Sequence, residues 1–100
     1  MSAKDDAIRR EREDAWLGDA VLGLFAREFI LARFGGMDAE IFAALTSNQF
    51  LSTIGRPTAV EAEIGRLYRD QGLPGAFAWL EAQLLPRYSV VLKKRTKSRT

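Results

Sequence analysis

The chain of 100 residues contains no cysteine and no histidine. The first absence excludes disulfides, thiol nucleophiles and thiolate metal sites. The second removes the commonest general base, imidazole zinc sites and Ser-His triads. If the chain is an enzyme, carboxylates with a hard metal such as magnesium are the most economical remaining chemistry. Long apolar runs are missing too. The longest, Ala15 to Ala26, is interrupted by Asp19 and falls short of the ~20 residues that cross a bilayer. The N-terminus is polar, with no leader pattern. A protein that is soluble and cytoplasmic, with no membrane partner, is expected.

What is present is a core and an uneven charge. Hydrophobic residues make up 47% of the chain, enough for one small domain, although one this short gains from an oligomer. The formal net charge is +2, from 15 basic and 13 acidic residues. Five of the basic residues, Lys93, Lys94, Arg95, Lys97 and Arg99, fall in the last eight positions, after every acid. We read residues 1–92 as a helical domain and 93–100 as a basic, disordered tail. A basic tail on a mildly acidic body points to a polyanion, nucleic acid first; a solubilising terminus is the plain alternative.

Apolar residues recur at helical spacing almost throughout, so the fold class is all-α. A central helix is predicted from the charged stretch before Asp14 through Trp16, Leu24, Phe29 and Leu31, stopping at Gly35-Gly36. Its nearly all-round apolar character calls for cover on most sides. Asp38 is placed to cap a second helix, Thr46-Ser47-Asn48 to break it, and Phe50 to Ile54 to resume it. Thr58 and Glu61 have capping-box spacing after Pro57. That predicts a third helix to Gly72, and Pro74 opens a fourth that Pro86 ends. Tyr88 to Leu92 is a β-prone run, predicted to lie extended. The aromatic residues Trp16, Phe25, Phe29, Phe42, Phe50, Phe77 and Trp79 have core or interface spacing rather than that of base-stacking surfaces.

One charge stands out. Around Asp19 the helical neighbours Ala15, Trp16, Leu22 and Gly23 are all uncharged. A carboxylate is rarely set in such a run for packing, because burying it is costly unless it is paired or bound to metal. Asp19 is therefore a candidate functional residue. The competing structural account is a buried aspartate paired with an arginine or capping a helix.

The stretch Trp16-Leu-Gly-Asp-Ala-Val-Leu22 resembles the signature of the ribonuclease III catalytic domain, whose aspartate binds metal. A second stretch in the same order, Val60-Glu-Ala-Glu-Ile-Gly-Arg-Leu-Tyr-Arg-Asp-Gln-Gly72, resembles the family's later helix and puts its glutamate at Glu61. Leu45-Thr-Ser-Asn48 is a weaker third match. The likeness covers roughly residues 12–86 and is strongest to mini-ribonuclease III, the short branch without an attached double-stranded-RNA-binding domain. Full-length members carry two more carboxylates, at positions that are Ala15 and Thr58 here. Only Ser52 to Pro57 remains of the segment that normally precedes the Glu61 helix.

This resemblance implies a ribonuclease III-like helical bundle, a homodimer, and a magnesium-dependent endoribonuclease (manganese as substitute) that cleaves double-stranded or structured RNA. Ribosomal RNA processing would be the pathway, with no nucleotide cofactor. Asp19 and Glu61 would be the catalytic metal ligands. If their helices cross near Gly18 and Gly65, the carboxylates can share one ion. Lys93, Lys94, Arg95, Lys97 and Arg99 would bind RNA, with Arg9, Arg10 and Arg12 behind them. Asp14 and Glu13 lie beside the missing carboxylate and are weak substitutes. Asp38 reads as a cap and Glu40 as a solvated charge. The alternative is a catalytically inactive ribonuclease III-like protein that binds RNA or a ribosomal particle; a purely structural helical dimer is a third option.

Overall fold

Four helices make up the secondary structure of the computed structural model, which describes residues 2–98 and side chains as far as Arg95: α1 (Ala3–Phe34), α2 (Ala39–Thr46), α3 (Asn48–Leu51) and α4 (Pro57–Ser98). There is no strand among the described residues, in agreement with the all-α expectation.

Local chemistry sets most boundaries. Ser2 caps α1 by accepting from the Asp5 N–H at 3.2 Å. The helix ends on Gly35, whose φ of 73° is the left-handed conformation glycine adopts freely. Asp38 accepts from the Ile41 N–H at 2.9 Å and caps α2. Ser47 is extended, ends α2, and caps α3 by accepting from the Phe50 N–H at 3.0 Å. The resumed helix is shorter than expected: α3 stops at Leu51 and Ile54 lies in the following turn.

The start of α4 departs from the capping-box expectation. Pro57 is the first helical residue, where its missing N–H has no partner to lose. The Val60 N–H bonds the Arg56 carbonyl at 2.9 Å. Thr58 is thus inside the helix rather than at its cap, and Glu61 belongs to the second turn. Gly72, at φ 73° and ψ −174°, interrupts α4 and Pro74 follows it. Residues 57–71 and 73–98 are therefore two arms, matching the expected third and fourth helices.

The second arm outruns its predicted end. Pro86 lies within it, and Tyr88 to Leu92 is helical rather than extended. The reason is burial. Ala76, Leu80, Leu84 and Tyr88 are all 0% exposed, a repeat that a helix keeps on one face, whereas a strand would put the exposed Ala78, Ala82 and Pro86 on that face as well. An interior proline costs about 3 kcal/mol; each large apolar side chain buried returns about 1.5–3 kcal/mol. Tyr88 also closes an aromatic cluster with Phe29 at 5.1 Å, Phe50 at 5.2 Å and Phe25 at 6.2 Å between ring centroids. The helix continues through Lys93 to Ser98, so the basic segment does not begin as a disordered tail. Arg99 and the side chain of Lys97 lie outside the described residues.

α1 packs through one face only. Ala15, Gly18, Leu22, Phe25, Ala26 and Ile30 are buried, while Trp16, Leu24, Leu31 and Phe34 are exposed. The expected cover on most sides is therefore not supplied by this chain. Trp16 in particular is 78% exposed and belongs to no core.

Candidate metal centre

Two glycines bring the backbones of α1 and α4 together. A methyl group built on Gly18 would overlap the Glu61 carbonyl, and one on Gly65 would overlap the Asp14 carbonyl. Backbone therefore rests on backbone at both points, one helical turn apart on each helix. This is the crossing that the small residues were expected to permit.

Asp19 and Glu61 flank that crossing and meet. Asp19 lies near enough to the Glu61 carboxyl to act on its titration. Asp19 is exposed and Glu61 half-buried. Burial pushes the Glu61 carboxyl up from 4.5 to about 7, and Asp19 pushes in the same direction. A carboxyl that keeps its proton near neutral pH beside a second acidic side chain is a site where a cation can replace that proton.

The buried charge of α1 is a different residue. Asp14 is the buried acid, with its side chain only 13% exposed. It pairs with Arg69 at 3.3 Å and Arg66 at 3.8 Å. The arginine-paired aspartate considered for Asp19 is thus Asp14. Sequence reasoning passed over this role because both partners lie some fifty residues away. Asp14 is also unsuited to replace the missing carboxylate, since its oxygens already hold two guanidinium groups. Five residues separate it from Asp19, roughly 140° around the helix. Glu13 is exposed and pairs with Arg9 at 3.7 Å. Among the described residues, no three acids gather into a three-ligand group. Magnesium does not require one: it commonly takes one or two carboxylates, completing its shell with water and substrate phosphates. The Asp19–Glu61 donor set fits that pattern.

The other candidate residues lie elsewhere. Ten residues of α1, about 15 Å, separate Asp19 from Phe29, which packs on Tyr88 upstream of the basic segment. Lys93 and Lys94 are exposed there. Arg95 pairs with Glu40 at 3.3 Å, tying the end of α4 to the start of α2. Glu40 stays 79% exposed, a solvated charge that has acquired a partner. Asp38 is occupied as the cap of α2. Arg9 pairs with Asp6 at 3.5 Å as well as with Glu13, whereas Arg10 and Arg12 are exposed. A shallow apolar depression of about 330 Å³, lined by Ile30, Leu31, Met37, Ala39 and Phe42 with Arg27 and Asp38 at its edge, opens beside the exposed face of α1.

Comparison with known proteins adds no relative: no family model, curated protein or solved structure matches the chain. Among the described residues, no helix is long and apolar enough to cross a membrane.

Proposed function

We propose that this chain is a ribonuclease III-like endoribonuclease, magnesium-dependent and dimeric, that acts on double-stranded or structured RNA in the cytoplasm, ribosomal RNA precursors among them. The observation that carries the reading is the closeness of Asp19 and Glu61 at the Gly18–Gly65 crossing. These two side chains would hold the ion, with manganese able to take its place. When bound, such an ion polarises a phosphoryl oxygen and makes a coordinated water a stronger nucleophile. Asp19, exposed, would be the ligand nearer the substrate, and Glu61, half-buried, would be the ligand anchored on α4, available once its carboxyl has lost its proton. The RNA backbone would run from this pair toward Lys93, Lys94 and Arg95, with Lys97 and Arg99 in the same segment of sequence. Contacts to phosphates and 2′-hydroxyls suffice for a duplex read by shape.

The dimer rests on α1. Trp16, Ala20, Leu24, Leu31 and Phe34 form an exposed strip on its outer face, and exposed apolar surface of that kind marks an association site. Such a strip is what a second copy would cover.

A second reading keeps the fold and drops the chemistry: an inactive ribonuclease III-like protein that binds RNA or a ribosomal particle. The salt bridges of Asp14 favour it, because they leave the pair without a third acid. One experiment decides. The protein is incubated with double-stranded RNA and magnesium or manganese, beside Asp19→Asn and Glu61→Gln variants of matched stability. Cleavage by the wild type alone supports the enzyme. Binding without cleavage at any metal concentration supports the inactive reading, and equal cleavage by all three proteins would place the site elsewhere.

A further inference from the structure

We infer that Asp14 is a positioning residue for the Asp19–Glu61 pair: with Arg69 and Arg66 it fixes the register of α1 on α4 and so holds the two carboxylates together. The inference rests on the metal reading of that pair given above.

The glycine contacts bring the helices close but do not lock them. Where Gly18 meets the Glu61 carbonyl and Gly65 meets the Asp14 carbonyl, no side chain from either glycine interdigitates. A bare backbone contact resists closer approach but resists sliding or rotation weakly, since register is ordinarily set by ridges of side chains entering grooves. A shift of one ångström along either axis would separate two carboxyls that must meet within hydrogen-bond distance. Something beside the crossing has to set the register.

Asp14 is placed to do so. It lies one turn before Gly18, and its own carbonyl is the atom under Gly65. The same residue therefore supplies both a backbone stop and a side-chain grip on α4. Its carboxylate is 13% exposed, whereas Arg69 and Arg66 remain 51% and 49% exposed. An anion so far removed from water depends on its partners, and moving it relative to them is costly. Arg66 is itself oriented from its own helix by Glu63 at 2.8 Å. The grip thus joins α1 to a fixed point on α4, within one turn of Gly65. Glu11–Arg56 at 3.0 Å is the other ion pair that ties α1 to the segment leading into α4, but it lies beyond the end of that helix. It serves as a control.

The test is divalent-metal affinity rather than turnover. Manganese is titrated calorimetrically into the full chain as wild type, Asp14→Asn, Arg69→Gln, Arg69→Lys, the double variant Asp14→Asn/Arg69→Gln and Glu11→Gln, with Asp19→Asn as the reference for loss of a ligand. Each is held at a temperature where circular dichroism shows it folded. Loss of an outer-shell positioning group typically weakens metal binding by about 10- to 100-fold. At least a tenfold loss is expected for Asp14→Asn, for Arg69→Gln and for the double variant, with no change for Glu11→Gln. The double variant leaves no buried charge unpaired, so it reports on register even if a single variant folds poorly. An Arg69→Lys variant, which keeps the charge, should recover part of the affinity.

Unchanged affinity in folded Asp14→Asn overturns the inference. So does a loss in Asp14→Asn as complete as that of Asp19→Asn while Arg69→Gln binds normally, because Asp14 would then be a ligand. A wild type that binds no manganese overturns the metal reading first, and this inference with it.

Discussion

Gly18 lies against the carbonyl of Glu61 with no room for a methyl group between them. Alanine at position 18 would be the better helix former by about 0.5–1 kcal/mol. The overlap is with backbone, however, which cannot turn aside, and forcing atoms into such a contact costs about 1–3 kcal/mol. Gly18→Ala is therefore expected to lower the melting temperature. It should also separate Asp19 from Glu61. Gly36→Ala is the matched control, because nothing lies within 4 Å of a methyl group there, and it should be neutral. Thermal unfolding of the two variants checks this; equal melting temperatures would mean that the helices can part without loss.

Glu61 gives the protein a pH dependence of unusual sign for a carboxylate. Its carboxyl is raised from 4.5 to about 7 by burial first and by Asp19 second. Between those values the folded chain holds a proton that the unfolded chain has released. The stability contributed by this group is complete below pH 4.5 and is lost as pH rises through about 7. Glu61→Gln should remove that slope. Chemical denaturation of both proteins from pH 4 to 8 measures the difference, which isolates Glu61 from the other acids. Magnesium should restore the lost stability at pH 8 in the wild type and not in Glu61→Gln, since the ion takes the place of the proton.

These features were legible in the sequence to unequal degrees, and the reason is the range of the interaction behind each. The Asp38 and Ser47 caps and the Gly35 stop are decided within a few residues, so they could be read directly. The meeting of Asp19 with Glu61 was legible because each acid has a glycine near it, Gly18 and Gly65, that lets the helices approach. The helix across Pro86 was not legible. Proline and the β-prone Tyr88–Leu92 argue locally for an end, and only the burial of Leu84 and Tyr88 reverses them. Asp14 was hidden for the same reason. It follows a run of charges, and nothing local distinguishes it from Glu13; Arg66 and Arg69 do that from the far side of the fold.

Tyr88 is 0% exposed, and its hydroxyl has no hydrogen-bond partner among the described residues. Burial pushes its titration well above the usual tyrosine range. A buried hydroxyl left unbonded costs about 1–3 kcal/mol, while the ring earns its place against Phe25, Phe29 and Phe50. Tyr88→Phe keeps the ring and removes the unbonded group, so it should stabilise the fold by about 1 kcal/mol. Tyr88→Ala should cost about 3–5 kcal/mol through the cavity it leaves. Urea denaturation of the two variants checks both signs. A Tyr88→Phe protein less stable than wild type would mean that the hydroxyl is bonded in solution.

The outer face of α1 gives the dimer a direct test. Leu24 and Leu31 are 42% and 51% exposed and make no contribution to the core. A charge at either position leaves the monomer's packing intact. If a second copy covers this face, Leu24→Glu or Leu31→Glu buries an unpaired carboxylate at the interface, which is costly. Light scattering should then show the mass fall from dimer to monomer, while the helical circular dichroism is retained. A wild type that is monomeric at micromolar concentration would remove the dimer from the proposal. A dimer that survives both substitutions would place the interface on another face.

The basic end of α4 makes separable contributions to RNA affinity. Lys93 and Lys94 are exposed, and Arg95, less exposed, pairs with Glu40. Each lysine that neutralises a phosphate steepens the dependence of affinity on salt, and its removal flattens the slope by about one unit. The Lys93→Gln/Lys94→Gln double variant should therefore lose about two units of slope and bind every duplex more weakly, whatever its sequence. Arg95→Gln should lose less. Glu40→Gln acts in the opposite sense: it frees the Arg95 guanidinium and removes a negative charge, so binding should tighten at low salt. Duplex-RNA titrations between about 50 and 200 mM salt distinguish the four proteins. A slope unchanged in the double variant would exclude this end of α4 as the RNA contact and transfer the role to Arg10 and Arg12 on the exposed start of α1.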